Sequence, residues 1–174
     1  MKPFIGLEKI WYGAPLKTEP ASYTAVTALT TSGGFTEVTN VHDGTWAYTQ
    51  DDPTITEYIN MLSGQPYYRE ITNAGNKTMS FTMGQYTFDD LAALQGGETV
   101  GTDGWKAGAP KFINQCVIAK TKSGNYIVFT NAGVVAKTGA AEQNLGLAVT
   151  AVAMDNETKG IAPEYRFAAP ETND

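Results

Sequence analysis

One histidine, His42, and one cysteine, Cys116, limit the chemistry open to this chain. A zinc site draws three or four ligands from His, Cys and carboxylates, and the two-histidine helical motif cannot be built from a single His. His42 is followed by Asp43, and a neighbouring carboxylate can orient an imidazole base. Asp43-Gly44 reads as a turn, however, and acid–base work also needs a pocket and a placed partner. Cys116 falls in an apolar, alternating stretch, which suits a small core residue better than an activated thiolate. Asp51-Asp52 stands before Pro53 with no ladder of oxygen ligands after it, so it reads as a turn and not as a cation loop. Trp11, Trp46, Trp105, Tyr67 and Tyr68 could line a sugar-binding face, although aromatics in β-domains more often serve cores and interfaces. The G-x-S-x-G elbow, the phosphate loop and the dinucleotide glycine pattern do not occur in the sequence. The expectation is a protein that is not an enzyme, with no catalytic residue, metal or cofactor.

The elements that would carry these side chains are mostly strands. The chain has 174 residues, 42% of them hydrophobic, which is enough for one full core. Eighteen glycines among many Thr, Val, Tyr and Ile suit strands joined by tight turns. Strands are predicted at Phe4–Tyr12, Thr36–Val41, Thr45–Thr49, Thr54–Asn60, Tyr67–Thr72, Lys77–Gly84, Phe112–Thr121, Tyr126–Thr130, Gly133–Lys137, Leu145–Asp155 and Glu164–Phe167. Lys122-Ser123-Gly124-Asn125 is a hairpin turn signal, because Gly and Asn tolerate positive φ. Leu145–Asp155 is nearly apolar on both of its alternating faces and is predicted to be covered on both sides. Gly96–Pro110 reads as a long surface loop, and Lys17–Gly34 as a loop or a weak strand pair. A single domain over 1–167 is expected, followed by a disordered tail at 168–174.

One segment departs from the strand pattern. Lys77–Gly84 alternates with period two, but from Phe88 the apolar residues Phe88, Leu91, Ala92 and Leu94 recur at helical spacing. Thr87 is a good N-cap, and Asp90 stands three residues later, as in a short-armed capping box. Tyr86 and Leu91 occupy the positions of a hydrophobic staple. Asp89 and Asp90 also place negative charge at the positive end of the helix dipole, which explains the pair without a reaction. Gly96-Gly97 ends the helix in the left-handed conformation that Gly adopts cheaply. A helix this short cannot stand alone, so Phe88, Leu91 and Leu94 are predicted to dock it on the sheet.

The formal net charge is -6, which argues against gripping nucleic acid by neutralising phosphates. No apolar run reaches the roughly 20 residues of a membrane helix. The opening MKPFIGLEKIWYG interrupts its apolar residues with Glu and Lys, so no export signal is expected. A lone cysteine fits synthesis in a reducing compartment. Without export, the triplets Asn76-Lys77-Thr78 and Asn156-Glu157-Thr158 read as chance matches to a glycosylation motif.

A glutamate-bearing strand, a long loop, the KTMSFT strand and the FDDLAALQGG helix follow one another here. This order resembles the tail tube, or major tail, proteins of long-tailed bacteriophages. In that family a strand of the form x-T-x-x-F-T/S-x runs into a short helix with a Leu-x-x-Leu pair and a terminal Gly-Gly. Thr78, Phe81, Thr82, Leu91, Leu94, Gly96 and Gly97 stand at those places. Asp52-Pro53-Thr54-Ile55-Thr56-Glu57 resembles the strand before the family's stacking loop, and Trp46-Ala47-Tyr48-Thr49 is compatible with it. The resemblance covers about Thr45–Gly97, and the later hairpins agree only in being β.

The resemblance implies an antiparallel β-sandwich or half-barrel flanked by one short helix, about Phe88–Gln95. It implies hexameric rings that stack into a tube around a tape-measure protein, closed by a tail-terminator protein. DNA would pass through without specific binding, the protein would reside in the virion after synthesis in the bacterial host cytoplasm, and no membrane would be involved. The alternating strand carries few acids, so no lumen-facing carboxylate is assigned. Thr54–Lys77 is the expected ring-contacting element. Its middle, Met61, Leu62, Pro66, Tyr67 and Tyr68, places apolar and aromatic residues in a Gly/Pro loop that is costly to leave in water. The other reading is that this loop folds back over its own core. The ends Met1–Pro3 and Ala168–Asp174 are second candidates for contact. The rival from a different class is a β-sandwich module binding carbohydrate or peptide, which would show an exposed aromatic platform on a stable monomer.

Overall fold

The computed structural model describes residues 1–171. Strand β1 (Lys9–Gly13) is followed by helix α1 (Tyr23–Thr31), β2 (Phe35–Glu37), β3 (Ala47–Gln50), β4 (Thr54–Ile59), β5 (Pro66–Asn73) and β6 (Lys77–Met83). Helix α2 (Phe88–Leu94), β7 (Glu98–Val100), β8 (Gly104–Lys106), β9 (Ile113–Lys120), β10 (Tyr126–Ala141), β11 (Asn144–Ala153) and β12 (Glu164–Phe167) complete the described chain. The fold is mainly β and entirely antiparallel in its pairings, a sandwich-like body with short helices against it.

The main sheet runs β2-β1-β9-β10-β11-β6-β3, and β12 also pairs with β10. Strand β10 is the spine, 16 residues long. The sequence predicts two strands there, Tyr126–Thr130 and Gly133–Lys137. The chain instead makes one strand with a register shift between Phe129 and Ala132. The irregular residues Thr130 and Asn131 are buried, and their side-chain donors bond to loops. Thr130 Oγ1 donates to the Ala162 carbonyl at 2.7 Å, and Asn131 Nδ2 to the Asp155 carbonyl at 2.7 Å. Such a bulge bends the strand. Before it, β10 pairs with β12, and after it, along the same edge, with β11.

The bent sheet encloses the larger core: Ile10, Tyr12, Met79, Phe81, Met83, Val117, Phe129, Leu147 and Val149 are all buried there. The end marked by β3 closes on β12 at a polar seam. Tyr48 of β3 donates to Glu164 of β12 at 3.1 Å, and Lys77 of β6 pairs with the same carboxylate at 2.6 Å. A smaller core of Trp11, Cys116, Ile118, Tyr126 and Val128 lies on the opposite face of β1, β9 and the first half of β10. Helix α1 covers it with Val26, Tyr23 and Leu29.

Helix α1 corrects the expectation of a loop or strand pair over Lys17–Gly34. Its start is capped by Ser22, whose Oγ accepts from the Ala25 N–H at 3.1 Å. Threonines that argue against a helix bond back to its own carbonyls, Thr27 to Tyr23 at 3.1 Å and Thr30 to Thr27 at 2.9 Å. Burial of Val26 on the sheet then outweighs poor intrinsic propensity. The described residues therefore form two helices, not one.

Helix α2 starts at the expected Phe88 and ends at Leu94, with the expected last residue Gln95 as its C-cap. Thr87 Oγ1 accepts from the Asp90 N–H at 3.2 Å while Asp90 Oδ2 accepts from the Thr87 N–H at 2.8 Å, a complete capping box. Gly96 and Gly97 both take positive φ after it. Docking differs in one residue: Leu91 and Leu94 are buried, but Phe88 is 42% exposed. The third docking residue is Asp90, turned inward to accept from the Tyr12 hydroxyl at 2.5 Å. Gly96–Pro110, predicted as a loop, contains the small hairpin β7–β8, which is closed by a Lys106–Glu98 ion pair at 2.8 Å.

Several predicted strands are shorter than expected, with β1 beginning only at Lys9 and β2 ending at Glu37. The turn at Lys122–Asn125 forms as predicted, with Gly124 at φ 90°. Asn125 is buried and holds both chain ends: its amide donates to the Lys2 carbonyl at 2.8 Å, and its Oδ1 accepts from the Ala169 N–H at 2.9 Å. The N-terminal ammonium pairs with Glu171 at 2.9 Å. Of the stretch expected as a tail, residues 172–174 lie outside the described residues.

Candidate interface: a projecting arm and an open sheet face

Strands β4 and β5 pair only with each other, away from the main sheet. Eight residues in β5, at about 3.3 Å each, make an arm about 25 Å long. Its neck is a close backbone contact between Gly75 (φ 79°) and Asp51: a Cβ on Gly75 would meet the Asp51 carbonyl oxygen at 2.2 Å. The Asp51 N–H also donates to the Asn76 carbonyl at 2.9 Å. This explains the Asp51-Asp52-Pro53 turn as the base of the arm.

A two-stranded hairpin is marginal by itself in water. Cross-strand pairs hold this one, each worth about 0.2–1 kcal/mol. Tyr58 and Tyr68 sit opposite each other with ring centroids 5.7 Å apart, and the Tyr58 hydroxyl donates to Glu70 at 2.7 Å. That bond to an anionic acceptor raises the Tyr58 pKa. On the other face Glu57 pairs with Arg69 at 2.8 Å, between Ile55 and Ile71 on one side and Ile59 on the other. At the tip, Leu62 N–H donates to Asn60 Oδ1 at 2.9 Å and Gly64 N–H to the Asn60 carbonyl at 2.8 Å.

Both faces of the arm are open. Met61 is 95% and Leu62 97% exposed, and Ile55, Tyr58, Ile59, Tyr67, Tyr68 and Ile71 are exposed as well. Pro66 is also exposed, at the start of β5. The five residues expected as a contact loop are thus brought together on one projection, standing clear of the body and not folded over it. Ile55, Tyr58, Ile59 and Ile71 belong to the same arm, within the expected Thr54–Lys77 element, though the sequence does not single them out. Their spacing of Ile, Glu, Ile in β4 against Tyr, Arg, Ile in β5 was the available signal.

A second apolar surface lies on the outer face of the sheet beyond the β10 bulge. Leu145–Asp155 is predicted to be covered on both sides, but only one face is. Leu147, Val149 and Ala151 point into the core, while Ala148, Val152 and Met154 are half-exposed and Thr150 is exposed. Helix α1 covers only the part of the sheet before the bulge. Phe112 at 83% and Val135 at 71% exposure continue this open face.

The residues first considered for chemistry are scattered. His42 is half-buried in a turn where its carbonyl accepts from the Thr45 hydroxyl at 2.7 Å. Cys116 is buried in the smaller core, and burial pushes its thiol pKa up, away from thiolate character. Trp11 is buried, and Trp46 and Trp105 pack against the larger core, so the three tryptophans share no face with Tyr67 and Tyr68. Among the described residues no three His, Cys, Asp or Glu side chains converge as metal ligands, and no helix is long and apolar enough to cross a membrane.

Compared with known proteins, the chain matches no family model, and no curated protein matches it in sequence. The arm and the open face are therefore interpreted from their own chemistry. Exposed apolar side chains on a pre-formed hairpin, with two unpaired strand edges, are equipped for contact with another polypeptide.

Proposed function

We propose that the chain is a structural subunit that self-assembles, forming hexameric rings that stack into a bacteriophage tail tube. The observation that carries this reading is the β4–β5 arm, with Met61, Leu62, Tyr67 and Tyr68 held out in water on a hairpin anchored only at its neck. Burying one such side chain is worth about 1.5–3 kcal/mol, so leaving the set exposed favours association strongly. The resemblance of Thr45–Gly97 to tail tube proteins supports the same assignment, because the arm falls where that family has its stacking loop.

The remaining features fit an architectural role. An antiparallel body with free strand edges can be closed by neighbours in a ring. A contact between unlike surfaces that does not close on itself extends rings into a filament. The formal net charge of -6 would repel DNA phosphates in a lumen and so favour passage over sticking. A tape-measure protein and a tail-terminator protein are the partners this reading requires, and the virion is the location.

The test replaces Met61, Leu62 and Tyr67 together by Ser. The variant should remain a folded, soluble monomer and form neither rings nor tubes in negative-stain images at concentrations where the wild type does. Tubes formed by the variant would remove the arm from the assembly contact. A wild type that stays monomeric and is retained on a glycan column would favour the binding-module reading instead.

A further inference from the structure

The open sheet face contains an apolar recess of about 320 Å³, lined by Phe112, Gly133, Val135, Val152 and Met154 with Lys111 at its rim. Gly133 forms part of its floor. A Cβ there would meet the Met154 sulfur at 2.8 Å, so a larger residue would push Met154 from its place across the strand. Lys111 is the one charged residue lining the recess, and among the described residues it is in no ion pair.

We propose that this recess receives the arm of a second copy of the chain, with Met61 and Leu62 entering beside Phe112 and Val135. The inference rests on the self-assembly reading and names the receiving surface for it. Three observations select the occupant. First, the arm tip and the recess are both apolar, and each is left open in the single chain, where Leu62 and Phe112 are both almost fully exposed. Second, their charges are opposite. The arm carries Glu57, Arg69 and Glu70, and Arg69 is paired with Glu57, so Glu70 leaves the arm with a net negative charge, opposite in sign to Lys111 at the rim. Third, both surfaces belong to every copy. A contact between them satisfies one arm and one recess per chain without a further protein, and it is heterologous, the type that builds rings and filaments.

The experiment mixes two single-cysteine variants, Leu62→Cys and Val135→Cys, in the full chain under assembling conditions with a mild oxidant. Cys116 is fully buried and does not compete. A disulfide-linked dimer from the mixture, and not from either variant alone, is expected. Beside it, Val135→Glu places a charge in the apolar recess that the arm tip would enter, where burying it is costly. It should raise the concentration needed for assembly at least tenfold while leaving thermal unfolding of the monomer unchanged.

Several outcomes overturn the proposal. Assembly of the wild type with no crosslink in the mixture, and with Val135→Glu assembling normally, removes the recess as receiver while the self-assembly reading stands. Leu62→Cys crosslinking alone as readily as the mixture would mean arm-to-arm contact. A crosslink formed only within one chain of the double variant would mean that the arm folds onto its own sheet. Failure of the wild type to assemble at all defeats the underlying reading as well.

Discussion

Gly75 and Asp51 touch backbone to backbone at the neck of the arm, where a Cβ on Gly75 would lie 2.2 Å from the Asp51 carbonyl oxygen. This contact, more than any contact along the arm, sets the direction in which β4 and β5 leave the body. Gly75 also takes φ 79°, a conformation that side chains with a Cβ rarely adopt. Gly75→Ala is therefore expected to reopen the neck and reaim the arm. Assembly should be lost in sedimentation, while the main core, which the arm does not join, keeps its unfolding midpoint within the equivalent of about 1 kcal/mol. A loss of monomer stability well beyond that would mean that the neck supports the body itself.

The Tyr12 hydroxyl and Asp90 tie β1 to α2 across the core at 2.5 Å. Burial, and then the adjacent carboxylate, push the Tyr12 pKa up, so the hydroxyl stays protonated and remains a donor. Tyr12→Phe leaves Asp90 Oδ1 buried without this donor, at a cost of about 1–3 kcal/mol. Urea unfolding checks it: the midpoint should fall with little change in slope. An unchanged midpoint would mean that water replaces the phenol.

At the seam, Glu164 is nearly buried between Lys77, Arg166 and Tyr48. Burial alone would raise its pKa, but the cationic hydrogen bonds from Lys77 and Arg166 outweigh it and hold the carboxyl below its ordinary value of 4.5. A group with a depressed folded pKa binds fewer protons folded than unfolded. Its contribution is thus fully present above about pH 4.5 and is lost as pH falls through the folded value. Urea midpoints measured from pH 7 to pH 3 should decline in that acid window, and Glu164→Gln should be less stable at pH 7 with a flatter acid limb. Parallel pH curves for the two proteins would assign the acid loss to other carboxylates.

Much of the strand content, the Lys122–Asn125 turn and both ends of α2 were legible because their signals are local. Thr87, Asp90, Leu91, Leu94 and Gly96-Gly97 each specify their own part of one helix. Helix α1 was not legible, since its threonines favour strands and only burial of Val26 and back-bonding by Thr27 and Thr30 hold it. The merging of two predicted strands into β10 depends on loops far along the chain that take up the side-chain donors of Thr130 and Asn131. The two apolar faces of β11 predict two-sided burial. How far α1 covers the sheet is fixed by topology, which alternation does not encode. At the candidate interface the apolar residues Met61, Leu62, Tyr67 and Tyr68 could be named from sequence, but not that they would stand clear of the body. Phe112 and Val135 carried no signal of exposure, because an apolar residue in a strand reads as core.

Sedimentation of the full-length wild-type chain over rising concentration, with negative-stain imaging of the fastest species, tests the central claim most directly. The account predicts rings or tubes roughly 80–100 Å across, the size expected when six domains of this length surround a DNA-wide channel. A monomer at every concentration, with no rings in the images, would contradict it.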